Sequence, residues 1–249
     1  MAEIIIPVKC VLLGESAVGK SSIINRFISN SFKSDLPSTM VGCYSSKEVY
    51  FEKEKQKISF EIWDTAGQEK YRSINKIFYQ DAVIAILVYD ITVKKSYEAL
   101  KDYWYIEVRD NSPKDVIIAI VGNKSDKYEF EEVNEDEVKE FCNSIHAIYK
   151  LTSAALGEGI NELFDMIGHE LLSSESFDTL KKNSFDSMIR LKSPNSIYTS
   201  ISTVNDEYDD QNIKIQKRKK KKCCWCYNAI FIFHYLIECL LDNHSILYK

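Results

Sequence analysis

Gly14-Glu15-Ser16-Ala17-Val18-Gly19-Lys20-Ser21 is the stretch whose reading decides the fold. It follows a β-branched run, Val8–Leu13, and opens Ser21–Phe27, whose apolar spacing is helical. The pattern G-x-x-x-x-G-K-[ST] between a strand and a helix is a phosphate-binding turn, because glycines let the backbone close round a phosphate with successive N–H groups pointing inward. The candidates for phosphate binding are therefore Gly14, Ser16, Ala17, Val18, Gly19, Lys20, Ser21 and Ser22. Lys20 would bring positive charge to the β- and γ-phosphates, and the Ser21 hydroxyl would ligate Mg²⁺. An ordinary turn with a chance lysine is the plain alternative, and the strand–helix context disfavours it.

Outward from this turn, residues 4–172 alternate between strand-like and helix-like segments. Ile58–Trp63, Val83–Tyr89, Val116–Val121 and the short Ala147–Lys150 read as further strands. Three more helices are marked by Tyr97, Leu100, Trp104 and Val108; by Val138, Phe141, Cys142 and Ile145; and by Ile160, Leu163, Phe164, Ile167 and Leu171. Val83–Val88 is apolar throughout, so it belongs in the middle of a parallel sheet covered on both faces. Ile58, Phe60 and Ile62 alternate with polar residues, as nearer an edge. The alternation predicts a doubly wound α/β sheet.

Three further sites follow predicted strands. Asp64 ends one, placed to hold Mg²⁺ through water, with Gly67 offering its N–H to a γ-phosphate and Gln68 orienting an attacking water. Asn123-Lys124-Ser125-Asp126 follows another. The Asp126 carboxylate is an acceptor-only group that matches the adjacent N1–H and N2–H₂ donors of guanine, which adenine lacks. Lys124 can lay its alkyl stem over the base. Ser153 and Ala154 follow the last strand, where small residues leave the Ala154 N–H free for guanine O6. Each taken alone also reads as an ordinary loop. All four lie at the ligand-binding edge of an open α/β sheet, and together they predict a guanine-nucleotide pocket.

With those residues in view, 8–172 resembles the Ras-superfamily small GTPases, and most closely the Rab branch. The resemblance is carried by Cys10–Ser22, with a phosphate loop most like that of the early-endosomal Rabs, by Trp63–Ile74 and by Leu87–Thr92. It implies a three-layer P-loop NTPase fold with a six-stranded, mostly parallel sheet and helices on both faces. It implies GTP and GDP as substrate and product, Mg²⁺, slow hydrolysis with Gln68 as the catalytic residue, and control of vesicle trafficking. Carried over to this sequence, Thr39 matches the threonine that caps Mg²⁺ and the γ-phosphate, and Phe32 the aromatic set edge-on to the base. Ser21, Thr39 and Asp64 then form the metal set. Exchange factor, activating protein and effectors would meet Thr39–Tyr44 and Gly67–Ile74, on a monomer. Of three departures from the family pattern, the most unusual is the C-terminus, and two lie in the body: Met40-Val41-Gly42-Cys43-Tyr44 differs from the usual Rab text, and Ala155 stands where the family usually has lysine. They motivate the rival reading of a nucleotide-bound scaffold that does not cycle, against which Gln68, Thr39 and Ser21 argue.

The chain has 249 residues, 45% hydrophobic and 28% charged, with a formal charge of −5. That composition excludes collagen-like, coiled-coil and wholly disordered classes. Residues 1–172 carry 20 basic and 28 acidic groups, whereas 173–249 carry 12 and 9. A basic end on an acidic body suits an anionic membrane surface rather than nucleic acid. The seven cysteines show no disulfide framework, and nothing at the start reads as a signal peptide, so a reducing cytosol is expected, with cycling onto the cytoplasmic face of endomembranes, endosomes among them.

Residues 173–216, serine-rich and without sustained periodicity, read as a disordered linker of roughly 44 residues spanning about 35–40 Å as a random coil. The basic run Lys217–Lys222 and Cys223-Cys224-Trp225-Cys226 come next, so that 217–249 reads as a membrane-targeting tail. Cys223 and Cys224 are candidates for lipidation, but 25 residues follow them. Three readings stay open: an encoded end near Cys224, a tail anchor over 223–241, and an interfacial amphipathic helix with S-acylation. A zinc site at the cysteine cluster lacks a second ligand pair.

Overall fold

The computed structural model describes residues 5–34, 39, 42–65 and 78–192, with side chains to residue 184. All of them fall within one compact unit, Met1–Ile197. Six strands, β1 (Ile5–Leu13), β2 (Cys43–Phe51), β3 (Gln56–Asp64), β4 (Ile84–Asp90), β5 (Ile117–Asn123) and β6 (Ile148–Thr152), form one sheet in the order β2-β3-β1-β4-β5-β6. Only β2 and β3 pair antiparallel; the rest are parallel. Every residue of β4 is buried, and β3 alternates buried with half-buried positions. Both patterns follow from the sequence: continuous apolar text at the centre, alternation one place from the edge.

Two apolar layers flank the sheet. On one face Ile6, Val8, Cys10 and Leu12 of β1 pack with α1 (Lys20–Ser29) and α4 (Ile160–Ser173). Phe27, Phe60 and Phe164 form its aromatic centre, with the Phe27 and Phe164 rings stacked at 3.6 Å. On the other face Val11, Leu13, Leu87 and Tyr89 meet α2 (94–111) and α3 (Glu135–Ser144). Helix α2 runs Lys94–Ala99, passes through a π-helical turn at Leu100–Trp104 and resumes as Tyr105–Asn111. Asn134 caps α3 by accepting from the Asp136 and Glu137 N–H groups, which are unpartnered donors at any helix start.

The first part of the stretch read as a disordered linker is instead a further helix, α5 (Glu175–Lys192). Phe177 is buried within the α1–α4 layer, with Leu180 packed against it one turn on. Ser176 donates to Asp115 at 2.6 Å. Two apolar side chains at i and i+3 hold a serine-rich segment to the body, because burial of a phenylalanine is worth about 1.5–3 kcal/mol. Residues 193–249, with Cys223, Cys224 and the basic run, lie outside the described residues. Cys10 and Cys142 are buried free thiols.

Candidate functional site

The strands deliver their C-terminal residues to one edge of the sheet. There a cavity of about 420 Å³ is lined by Ser16, Ala17, Gly19–Ser22, Phe32, Thr39, Thr65, Asn123, Lys124, Asp126, Ala154 and Ala155. Gly14 and Gly19 hold backbone angles of φ +142° and +101°, in the left-handed region open to glycine. A Cβ on Gly14 would sit 2.2 Å from the Val88 carbonyl oxygen, and one on Gly19 at 2.2 Å from Asn123 Nδ2. No side chain caps the start of α1 and no acid occupies its first turn, so its first N–H groups face the cavity uncompensated. That is an anion-binding helix end.

Lys20 lies at this end, buried, with Nζ donating to the Gly14 and Glu15 carbonyls at 2.9 and 2.8 Å. Burial lowers its pKa to about 8 against the upward pull of Asp64 and Glu15. Across from it Ser21 Oγ donates to Asp64 Oδ2 at 2.5 Å and lies 2.9 Å from Thr39 Oγ1. Burial raises the Asp64 carboxyl above the usual range, opposed by the Ser21 hydrogen bond, the Lys20 charge and Thr39. Asp64 Oδ1 is buried without a hydrogen-bond partner. Two hydroxyls and a carboxylate with an unpartnered oxygen are the donor set of a small hard cation, which fits Mg²⁺.

The far end of the cavity is built on β5 and β6. Asn123, buried, donates from Nδ2 to the Val18 carbonyl at 2.9 Å and accepts at Oδ1 from Thr152 Oγ1 and the Ala154 N–H, both at 3.2 Å. It ties the phosphate-type turn to the loop after β6. Asn123 thus serves as an internal brace as well as lining the cavity, and one expectation is corrected: the Ala154 N–H is engaged rather than free, since a buried donor must find an acceptor. Asp126 is half-buried, not buried, and accepts from Ser153 Oγ at 2.6 Å. Phe32 lines the cavity at 42% exposure, so simple core packing does not explain it.

Several residues at the site had not been singled out. Asp90, the last residue of β4, pairs with Lys124 Nζ at 2.5 Å, and its other oxygen accepts from Thr92 N and Oγ1. The pair pins the Lys124 stem along the cavity wall. The signal was available: a carboxylate closing the most apolar strand. Thr65 Oγ1 donates to the Leu12 carbonyl at 2.6 Å, joining the ends of β1 and β3. Trp104, in the π turn, donates to Glu15 Oε1 at 3.0 Å. Gly67 and Gln68 lie outside the described residues.

Residues 9–173 match the Ras family model. The chain belongs to the Ras family. Among its relatives in that family, Ras-related protein Rab-22A of Homo sapiens is 40% identical over 168 residues, covering 68% of this chain and 85% of the relative. Rab-31 of Mus musculus is 39% identical over 163 residues, 66% and 82% of the two chains. Rab-11A of Dictyostelium discoideum is 36% identical over 182 residues, 72% and 84%. The chain is thus a Rab-branch small GTPase of the Ras superfamily, an enzyme that binds and hydrolyses GTP and regulates vesicle trafficking. Exchange factors, activating proteins and effectors are the partners of such a GTPase. The six-stranded, mostly parallel sheet with helices on both faces is the P-loop NTPase fold expected from the sequence.

Proposed function

We propose that the nucleotide lies along the cavity with its phosphates at the start of α1 and its guanine between Lys124, Asp126 and the Ser153–Ala155 loop. The observation that carries this reading is a single cavity with an uncapped helix end and Lys20 at one pole and a half-buried carboxylate at the other. Backbone N–H groups of Gly14–Ser22 receive the phosphates, and Lys20 exchanges its two carbonyl partners for phosphate oxygens. That exchange gives an anionic partner to an ammonium whose charge burial disfavours.

Ser21, Thr39 and Asp64 would hold Mg²⁺, which supplies Lewis-acid neutralisation of charge on the β- and γ-phosphate oxygens. Thr39 in this set belongs to the segment before β2, so the nucleotide state is felt in a partner-facing loop. Gln68 orients the attacking water, and Gly67 offers its N–H to the γ-phosphate. Asp126 accepts from guanine N1–H and N2–H₂, while the Lys124 stem, held by Asp90, covers one face of the base and Phe32 abuts its edge. Intrinsic turnover of about 10⁻⁴–10⁻³ s⁻¹ is expected, with activation by a partner of about 10⁵-fold in the best-known case.

Exchange factor, activator and effectors engage Thr39–Tyr44 and Gly67–Ile74. Tyr44, Trp63 and Phe78 stand in ring contact beside the first of these, at 5.4 and 5.6 Å, and offer an apolar seat. The protein acts as a monomer on the cytoplasmic face of endomembranes, endosomes among them, held by the basic tail with Cys223 and Cys224 as lipid acceptors. Single-turnover hydrolysis tests the cycle: Gln68→Leu should keep GTP binding and lose most activator-stimulated hydrolysis. Equal rates in variant and parent would remove Gln68 from the mechanism and favour a non-cycling scaffold.

A further inference from the structure

We infer that Arg26, which does not line the nucleotide cavity, is the positioning residue for the base-recognition loop, and therefore sets how selectively and how long guanine is held. The inference rests on the nucleotide reading above. Arg26 sits in the last turn of α1, and its guanidinium reaches under the loop that follows β6. Nε donates to the Ala154 carbonyl at 2.9 Å and one terminal nitrogen to the Ala155 carbonyl at 2.7 Å. The other terminal nitrogen donates to the Asn30 carbonyl at 3.0 Å and Asn30 Oδ1 at 3.2 Å. Among the described residues no carboxylate pairs with it. Its charge is answered by carbonyl and amide oxygens, including the C-terminal end of α1, where the helix dipole favours a cation.

The loop needs such a hold. Ala154 and Ala155 carry nothing beyond Cβ, so only their backbone can be gripped. From the cavity side Asn123 takes the Ala154 N–H, and Ser153 Oγ bridges the Leu156 N–H and Asp126. From the opposite side Arg26 takes the two carbonyls. The Ala155–Leu156 peptide is then held at both ends, by Arg26 at its carbonyl and Ser153 at its N–H, and the Ala154–Ala155 peptide is held at its carbonyl, which fixes where the Ala155 N–H aims. Gly157, at φ +86°, gives the arginine its channel: a Cβ there would lie 3.3 Å from Arg26 Cδ.

The same fork holds Asn30, the left-handed residue that ends α1 and begins the stretch carrying Phe32. One side chain thus joins the helix that carries the phosphate turn, the loop beside the base and the start of a nucleotide-facing segment. A planar five-donor fork can do this, whereas a lysine, a single point donor, cannot.

The test uses the full chain loaded with Mg²⁺ and a fluorescent GDP, comparing the parent, Arg26→Gln and Arg26→Lys. Release from Arg26→Gln should be faster by about tenfold or more, the scale of losing a hydrogen bond to a charged group. A second readout separates positioning from general loosening: competition by a 2-aminopurine riboside diphosphate, which keeps the 2-amino group and drops the 6-oxo together with the N1–H, whose loss at Asp126 is common to parent and variants. The affinity lost on dropping the oxo group should be smaller in both variants than in the parent, as in a double-mutant cycle. An unchanged loss, whatever the release rate, would overturn the inference, as would a folded variant that releases at the parent's rate. Should Arg26→Gln fail to fold by circular dichroism, Arg26→Lys decides by the same two readouts. A parent that retains no guanine nucleotide would defeat the underlying reading instead, and is seen before any variant is compared.

Discussion

At the scale of single residues, the site is a set of side chains whose polar atoms are nearly all committed before any ligand arrives. Asn123 makes three hydrogen bonds between elements distant in sequence, so Asn123→Ala should leave the Val18 carbonyl and the Ala154 N–H buried and unpaired. Such groups cost about 1–3 kcal/mol each, so denaturant unfolding should show a loss of that order, with faster GDP release. Asp126→Asn replaces an acceptor with a donor at the proposed base edge. Guanine affinity should fall by about 10⁴ or more, as in comparable built sites, and xanthine, with a 2-oxo group, should be preferred in competition. Lys20 carries a pH prediction. With its folded pKa lowered by burial to about 8 from 10.5, the unfolded chain holds the proton more tightly between those values. The cost of burying the charge is full below pH 8 and is relieved as pH rises toward 10.5. In nucleotide-free protein the stability of the parent relative to Lys20→Met should therefore rise between pH 7.5 and 10; a flat difference would contradict the assignment.

At the scale of elements, what sequence reveals depends on how strongly burial patterns the text. Strand β4 is buried on both faces and reads as an unbroken apolar run, so it was legible. Strand β2 lies at the edge, is mostly exposed or half-buried, and carries little hydrophobic pattern; it came only through family resemblance. Helix α5 is hard to read from sequence because the serine-rich stretch that contains it lacks sustained periodicity; among the described side chains, Phe177 and Leu180 pack onto the body. The π turn at Leu100–Trp104 was illegible for another reason, since one widened turn shifts the phase of a helix without changing its residue types. Of the site, the residues that would meet the ligand could be read from motif and position. Those that hold them, Asp90, Thr65, Trp104 and Arg26, act across long sequence separations that local spacing does not encode. Phe177→Ala tests whether α5 belongs to the cooperative unit. A cost of about 3–5 kcal/mol, or somewhat less at this edge of the core, with loss of hydrogen-exchange protection along α5, is expected. Unchanged unfolding would make α5 an appendage.

At the scale of the whole molecule, an acidic GTPase body carries a helical extension and then a basic, cysteine-bearing end. The body itself is organised round one relation: each strand end that faces the cavity is braced to the next, β1 to β3 through Thr65, the phosphate turn to β5 through Asn123, and β5 to β4 through Lys124 and Asp90. A site braced in this way discriminates by what it cannot rearrange to accept. Isothermal titration of the Mg²⁺-supplied, nucleotide-stripped full chain is the direct test of that discrimination. Tight, stoichiometric binding of GDP with no detectable heat from ADP at the same concentrations is the predicted result. Equal binding of the two, or none of GDP, would contradict the account.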